Sequence, residues 1–150
     1  MTRATVPLGD AGRIAFAAAA RARIGVKFRH QGRTATHVDC IGLMVTALAD
    51  AGTACDDRRA YGRDPARDDL RSALRQHFGA PVAIAPDLSA VQPGDIALMA
   101  WHLRPQHVAV FGDYAHGGLS LIHADAEFGA VVEHQFAEPW VDRVKEVYRP

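Results

Sequence analysis

The run Cys40-Ile41-Gly42-Leu43-Met44-Val45-Thr46-Ala47-Leu48 constrains the fold more than any other part of the chain. Read as a helix, it is apolar on most of its faces, so it belongs inside the protein rather than on a surface. A polar stretch, Thr36-His37-Val38-Asp39, leads into it, and Asp50-Ala51-Gly52 ends it with a glycine stop. The rest of the chain must supply layers that bury this one segment.

The first half supplies helices. From Asp10 to about Ile24, Ala and Arg dominate, with Ile14, Phe16, Ala17 and Ala20 as inward positions. Gly25 stops that helix, Val26 to His30 runs extended, and Gln31 to Thr36 is a loop. Cys55 to Asp69 is polar and rich in Arg and Asp, which predicts a surface loop. Asp68 to Gly79 then predicts a short helix, acidic at its start. The second half changes character. Strand-like runs at Ile96–Ala100, His107–Phe111, Leu119–His123, Ala130–His134 and Val141–Tyr148 are separated by glycines and polar residues. Helices followed by meandering strands predict an α+β fold, with N-terminal helices packed on an antiparallel sheet and the Cys40 helix central. The 150 residues suit one domain, 1–150, and no repeat or linker divides them.

Bulk composition narrows the function classes. Seventeen Lys and Arg balance seventeen Asp and Glu, so no basic field points to nucleic acid. The first residues lack an apolar core of signal-peptide length, and no run is long enough to span a membrane. The expectation is a chain made in the cytoplasm without a signal peptide. Two cysteines, Cys40 and Cys55, form neither a disulfide framework nor a C-x-x-C pair, and Cys55 reads as incidental.

Cys40 is different. It enters the first turn of its helix, where unpaired N–H groups and the helix dipole favour thiolate over thiol. His107 opens one strand-like run and His123 ends another. An early Cys with later His residues is the order of a papain-like thiol hydrolase, in which an imidazole takes the thiol proton and a third group orients it. A zinc site built from His102, His107, His116 and His123 is disfavoured, since no i, i+4 His pair or suitably placed Glu accompanies them. Neither metal nor cofactor is expected.

Four blocks stand in order: Asp39-Cys40-Ile41-Gly42-Leu43, Pro93-Gly94-Asp95, His107-Val108-Ala109-Val110-Phe111-Gly112 and Ile122-His123-Ala124. Together they resemble the NlpC-type cell-wall peptidases. The pair His30-Gln31 resembles the compact branch of that family found in phage tails and gene transfer agents. The resemblance runs from about Gly25 to Ala124. It implies a minimal papain-like fold, Cys40 as nucleophile, His107 as general base and His123 as the residue that orients His107. It also implies a cysteine endopeptidase acting on peptide stems of bacterial peptidoglycan, typically between γ-D-glutamate and a diamino acid, through a thioester and without metal. Phage-like tail-tip or hub proteins are the implied partners, and a tail particle the implied location.

Candidates for substrate contact are Phe28, His30, Asp39 and Trp101. Phe28 stands where many family members carry Tyr, keeping the ring without the hydroxyl. His30 also reads as a loop-holding residue, and Asp39 as a helix cap. Trp140 could serve core or groove. His37, His77, His102, His116 and His134 are expected to face solvent or loops. Two alternatives use the same fold: a non-enzymatic tail plug or adaptor, and an amidase or acyltransferase.

Overall fold

The computed structural model describes residues 7–53, 57, 70–101 and 105–150. The elements, in chain order, are α1 (Gly9–Arg21), β1 (Lys27–Phe28), β2 (His37–Val38), α2 (Cys40–Asp50) and α3 (Leu70–Phe78). There follow β3 (Ala83–Ile84), β4 (Ile96–Met99), β5 (His107–Asp113), β6 (Leu119–Asp125), β7 (Ala130–Gln135), α4 (Trp140–Arg143) and β8 (Val144–Tyr148). The eight strands form one sheet in the order β2-β1-β7-β6-β5-β4-β8-β3. Every pairing is antiparallel except β1 with β2. This is the α+β fold expected from helices first and strands afterwards.

The sheet is covered on both faces, which is why its central strands read as nearly continuous apolar runs. On one face α1 and α2 pack Phe16, Ala20, Leu43, Met44 and Leu48 against Val108, Val110, Ile122 and Val131. On the other, Met99, Ala109, Phe111, Leu121, Val144 and Val147 form a second cluster, bordered by Trp101, Phe136 and Trp140. The period-two alternation of β5 and β6 therefore sends neighbouring residues into two different cores. Leu43, Ala47 and Leu48 are almost completely buried, as the apolar character of α2 requires. Fully burying a Leu side chain is worth about 1.5–3 kcal/mol, so α2 is held chiefly by its position between α1 and the sheet.

Local differences from the sequence reading have simple causes. The C-terminal run expected as one strand from Val141 divides into α4 and then β8. β2 and β3 are two-residue strands, too short for a periodic pattern to reveal. The surface loop expected over Cys55–Asp69 lies almost entirely outside the described residues, as does Cys55 itself.

The Pro93-Gly94-Asp95 turn proves structural. Gly94 has φ +88, and a Cβ there would stand 2.5 Å from the Arg13 carbonyl oxygen of α1. Asp95 is fully buried. Its carboxylate accepts from the Gln92 N–H at 2.8 Å and from two nitrogens of Arg149, each at 2.9 Å. The block thus ties α1, the entry to β4 and the end of β8 together.

Candidate active site

Asp39 builds the head of α2. It is extended (φ −100, ψ −173), and its side chain accepts from the Gly42 N–H at 2.7 Å, the hydrogen bond of an N-cap. The same carboxylate accepts from the Gln31 N–H at 2.8 Å and from the Arg33 guanidinium at 3.0 Å. Arg33 also donates to Asp57 at 2.9 Å. Gln31 takes a left-handed conformation (φ 61) to aim its N–H at the cap. Gly42 makes this approach possible, because a Cβ there would lie 2.0 Å from the Gly32 carbonyl oxygen. The loop before the helix and the helix's first turn are thus one locked unit, and Cys40 sits at its centre.

The thiol does not behave as a helix-start position alone predicts. Cys40 is only 8% exposed, and its pKa is pushed up to about 12. Burial is the largest cause, and the adjacent Asp39 carboxylate adds to it. The backbone N–H groups of Val108 and Ile41, within hydrogen-bonding reach, and the more distant Arg33 pull the other way without prevailing. The resting group is a neutral thiol. Its contact with Val108 places it at the start of β5, against the residue that follows His107.

The histidines of β5, β6 and β7 form a linked set. His107 Nε2 lies 2.9 Å from His123 Nδ1, and His123 Nε2 lies 2.8 Å from His134 Nε2. Successive rings meet edge to face, with centroids 5.0 Å apart in both pairs. His123 is completely buried. Burial pushes both His107 and His123 down to about 3, and for His123 the neighbouring His107, His134 and Arg143 add to the effect while Asp125 opposes it. Both imidazoles are neutral at rest, so each can exchange a proton only as charge develops nearby.

Two tryptophans hold these rings. Trp101 stands edge-on to His107 at 5.1 Å, and Trp140 contacts His123 at 5.1 Å and His134 at 4.4 Å. The Arg143 guanidinium lies over both indoles, 5.1 Å from Trp101 and 4.6 Å from Trp140. Such aromatic and cation–π contacts fix ring orientation beyond what burial alone does. Among the described residues, no group of three or more His, Cys, Asp or Glu side chains is disposed to hold a metal ion. No helix among them is long and apolar enough to cross a membrane.

Residues 25–149 match the NlpC/P60 family. The chain belongs to that family. Among solved structures it resembles NlpC1 from Trichomonas vaginalis, with a TM-score of 0.65 and 20% identity over 94% of this chain and 44% of that one. An NLP/P60-family protein described as similar to lipoprotein, from Staphylococcus aureus, aligns with a TM-score of 0.62 and 16% identity over 97% of this chain and 43% of that one. The peptidoglycan hydrolase RipB from Mycobacterium tuberculosis aligns with a TM-score of 0.57 and 15% identity, over 93% of this chain and 64% of RipB. At these identities the likeness is one of fold, and this chain spans less than half the length of the first two. No curated protein matches it by sequence.

Set against the family blocks, the structure brings His107 and His123 into direct contact and the Cys40 thiol against Val108. Asp39 acts as the cap, with both carboxylate oxygens engaged inside the chain. His30 is half-buried in the turn preceding the locked loop, and Phe28 is half-buried against the α1–α2 core. Trp101 contacts His107 edge-on.

Two histidines expected at solvent or in loops are placed otherwise. His77 is buried beside Phe78 on α3, and His134 is half-buried against His123 and Trp140. His102 lies outside the described residues. The signal for His134 lay in hairpin register. β6 and β7 pair Leu121 with His134 and His123 with Val132, making His123 and His134 diagonal neighbours on one face, within reach of each other's rings.

Proposed function

We propose that the protein is a cysteine endopeptidase that hydrolyses peptide stems of bacterial peptidoglycan, at the bond between γ-D-glutamate and a diamino acid. The observation that carries this reading is the imidazole pair His107–His123 at the strand start that the Cys40 thiol touches. In this reading Cys40 sulfur attacks the stem carbonyl carbon while His107 takes the thiol proton. His107 then delivers that proton to the leaving amine, giving a thioester. Water, deprotonated by the same imidazole, attacks the thioester carbonyl and releases Cys40 as the thiol. Because thiol and imidazole are both neutral at rest, the proton moves during attack rather than before it. Gly42 N–H is taken by Asp39, so the first-turn N–H groups of Cys40 and Ile41 are the donors nearest the developing oxyanion. Phe28, His30 and Trp101 are the candidates for lining the stem.

The proposed setting is the tip of a phage-like tail, where the enzyme meets the wall from outside. Its support is the His30-Gln31 pair of the phage branch, which here leads into the loop locked onto Asp39. Immunogold labelling at the tips of purified tail particles is the expected outcome, and signal confined to the soluble fraction would sink this setting.

A second reading, a non-enzymatic tail plug that kept the fold, draws on Phe28 in place of the family's Tyr and on the closed, neutral thiol. Incubation with peptidoglycan and mass spectrometry of released fragments separates the readings. Stem cleavage by the wild type that is lost in Cys40→Ala supports the peptidase. No cleavage by either protein favours the plug, and cleavage between sugar and stem favours an amidase.

A further inference from the structure

His134 stands at the outer end of the histidine set, and its two ring nitrogens have different partners. Nδ1 is 3.0 Å from the Gln135 carbonyl oxygen, and Nε2 is 2.8 Å from His123 Nε2. A carbonyl oxygen only accepts, so the proton of neutral His134 must sit on Nδ1. Nε2 of His134 is then a lone pair, and His123 must donate to it from Nε2–H. That leaves His123 Nδ1 as a lone pair, so His107 must donate from Nε2–H. The remaining nitrogen of His107, Nδ1, is left as the acceptor.

From this geometry we infer that His134 is a positioning residue that sets the tautomers of His123 and His107, so that His107 presents a bare Nδ1 for the thiol proton. The inference rests on the Cys40–His107 reading given above. One backbone carbonyl, that of Gln135, thereby dictates the proton positions on three rings. Other groups facing the set do not compete for these positions. Asp125 Oδ2 is 3.9 Å from His123 Nδ1, beyond hydrogen-bonding distance, and its Oδ1 accepts from the Glu127 and Phe128 N–H groups. Arg143 lies over the Trp101 and Trp140 rings, and a guanidinium has no lone pair to offer an imidazole N–H. Stacking on Trp140 holds the His134 ring in the one orientation that satisfies both bonds.

Without an acceptor at position 134, His123 Nε2–H is buried with no partner. The ring then gains by moving its proton to Nδ1 and donating to His107, which converts His107 to the Nδ1–H form that cannot accept from the thiol. A buried donor left unsatisfied shifts such an equilibrium by on the order of tenfold or more.

The test uses the full chain with ¹⁵N-labelled histidine in the Cys40→Ala background, where ring shifts report which nitrogen of His107 carries the proton whether or not the protein is an enzyme. Expected are His107 Nε2–H with His134 present, a shift toward Nδ1–H in His134→Phe, and restoration in His134→Gln, whose amide oxygen can accept. With Cys40 intact and peptidoglycan as substrate, kcat should fall about tenfold in His134→Phe with KM unchanged, and recover in His134→Gln. His107 already in the Nδ1–H form with His134 present, or unmoved Nε2–H in a folded His134→Phe, overturns the inference. Should His134→Phe fail to fold, the wild-type tautomer and its retention in His134→Gln decide alone. An absence of stem cleavage by the wild type, with the tautomer pattern as expected, refutes the peptidase reading and leaves the positioning role standing.

Discussion

Replacing Gly42 by Ala sets two opposite effects against each other at the nucleophile. In an ordinary helix the change is favourable by about 1 kcal/mol, because Ala loses less backbone entropy. Here the new methyl would sit 2.0 Å from the Gly32 carbonyl oxygen, 3.0 Å from an Arg33 guanidinium nitrogen and 3.2 Å from an Asp39 carboxylate oxygen. The nearest atom is backbone, so the loop must retreat by more than 1 Å to restore ordinary contact. That retreat stretches the Gln31 and Arg33 hydrogen bonds to the buried Asp39 carboxylate, each worth roughly 1.5–3 kcal/mol because a charge is involved. Losing one outweighs the propensity gain, and weakening both gives a net destabilisation of about 2–4 kcal/mol. Urea denaturation of Gly42→Ala should show the midpoint falling accordingly, and stem cleavage should decline as the Asp39 cap and the thiol shift together. A variant as stable as the wild type, or more so, would refute the claim that loop and helix head form one locked unit.

Two further predictions follow from the neutral buried groups. His107 and His123 are held neutral in the folded protein, pushed down to about 3, whereas in the unfolded chain they titrate near 6.5. Below about pH 6.5 the unfolded state binds more protons, so stability should fall on acidification from pH 7 to 5.5, by at most about 1.4 kcal/mol per pH unit for each proton. Denaturation midpoints across that window test this, and a slope that is flat, or unchanged when both residues are replaced by Gln, counts against it. The Cys40 thiol, pushed up to about 12, should react with iodoacetamide at pH 7.5 roughly a thousandfold more slowly than a free cysteine peptide of pKa ~8.5. The rate is read in a Cys55→Ser background by intact mass, and labelling as fast as the peptide's would show that burial does not control this thiol.

Much of the architecture could be read from the chain because it is written in local patterns. An apolar α2 had to be buried, Asp39 before it had to cap, and glycine-separated strand runs after it had to meander. Three features stayed hidden for physical reasons. The helix-start argument for a thiolate considers only the dipole, while the Cys40 thiol is governed by desolvation and by the very carboxylate that caps the helix. His134 looked like a polar residue near a strand end, because its contact with His123 depends on hairpin register. Trp140 likewise acquires its place only when α4 interrupts the final strand and sets the indole against the histidines.

The position of β8 in the sheet bears on how the molecule is made. β8 comes latest in sequence among the described strands, yet it lies between β4 and β3. During synthesis β4 therefore waits with one edge unpaired until residues 144–148 leave the ribosome, and Asp95 waits for Arg149 as its countercharge. An apolar strand with an open edge is the kind of surface on which chains pair with one another. Folding here closes through β8, so the nascent protein is most exposed to misassembly just before residues 144–148 are in place.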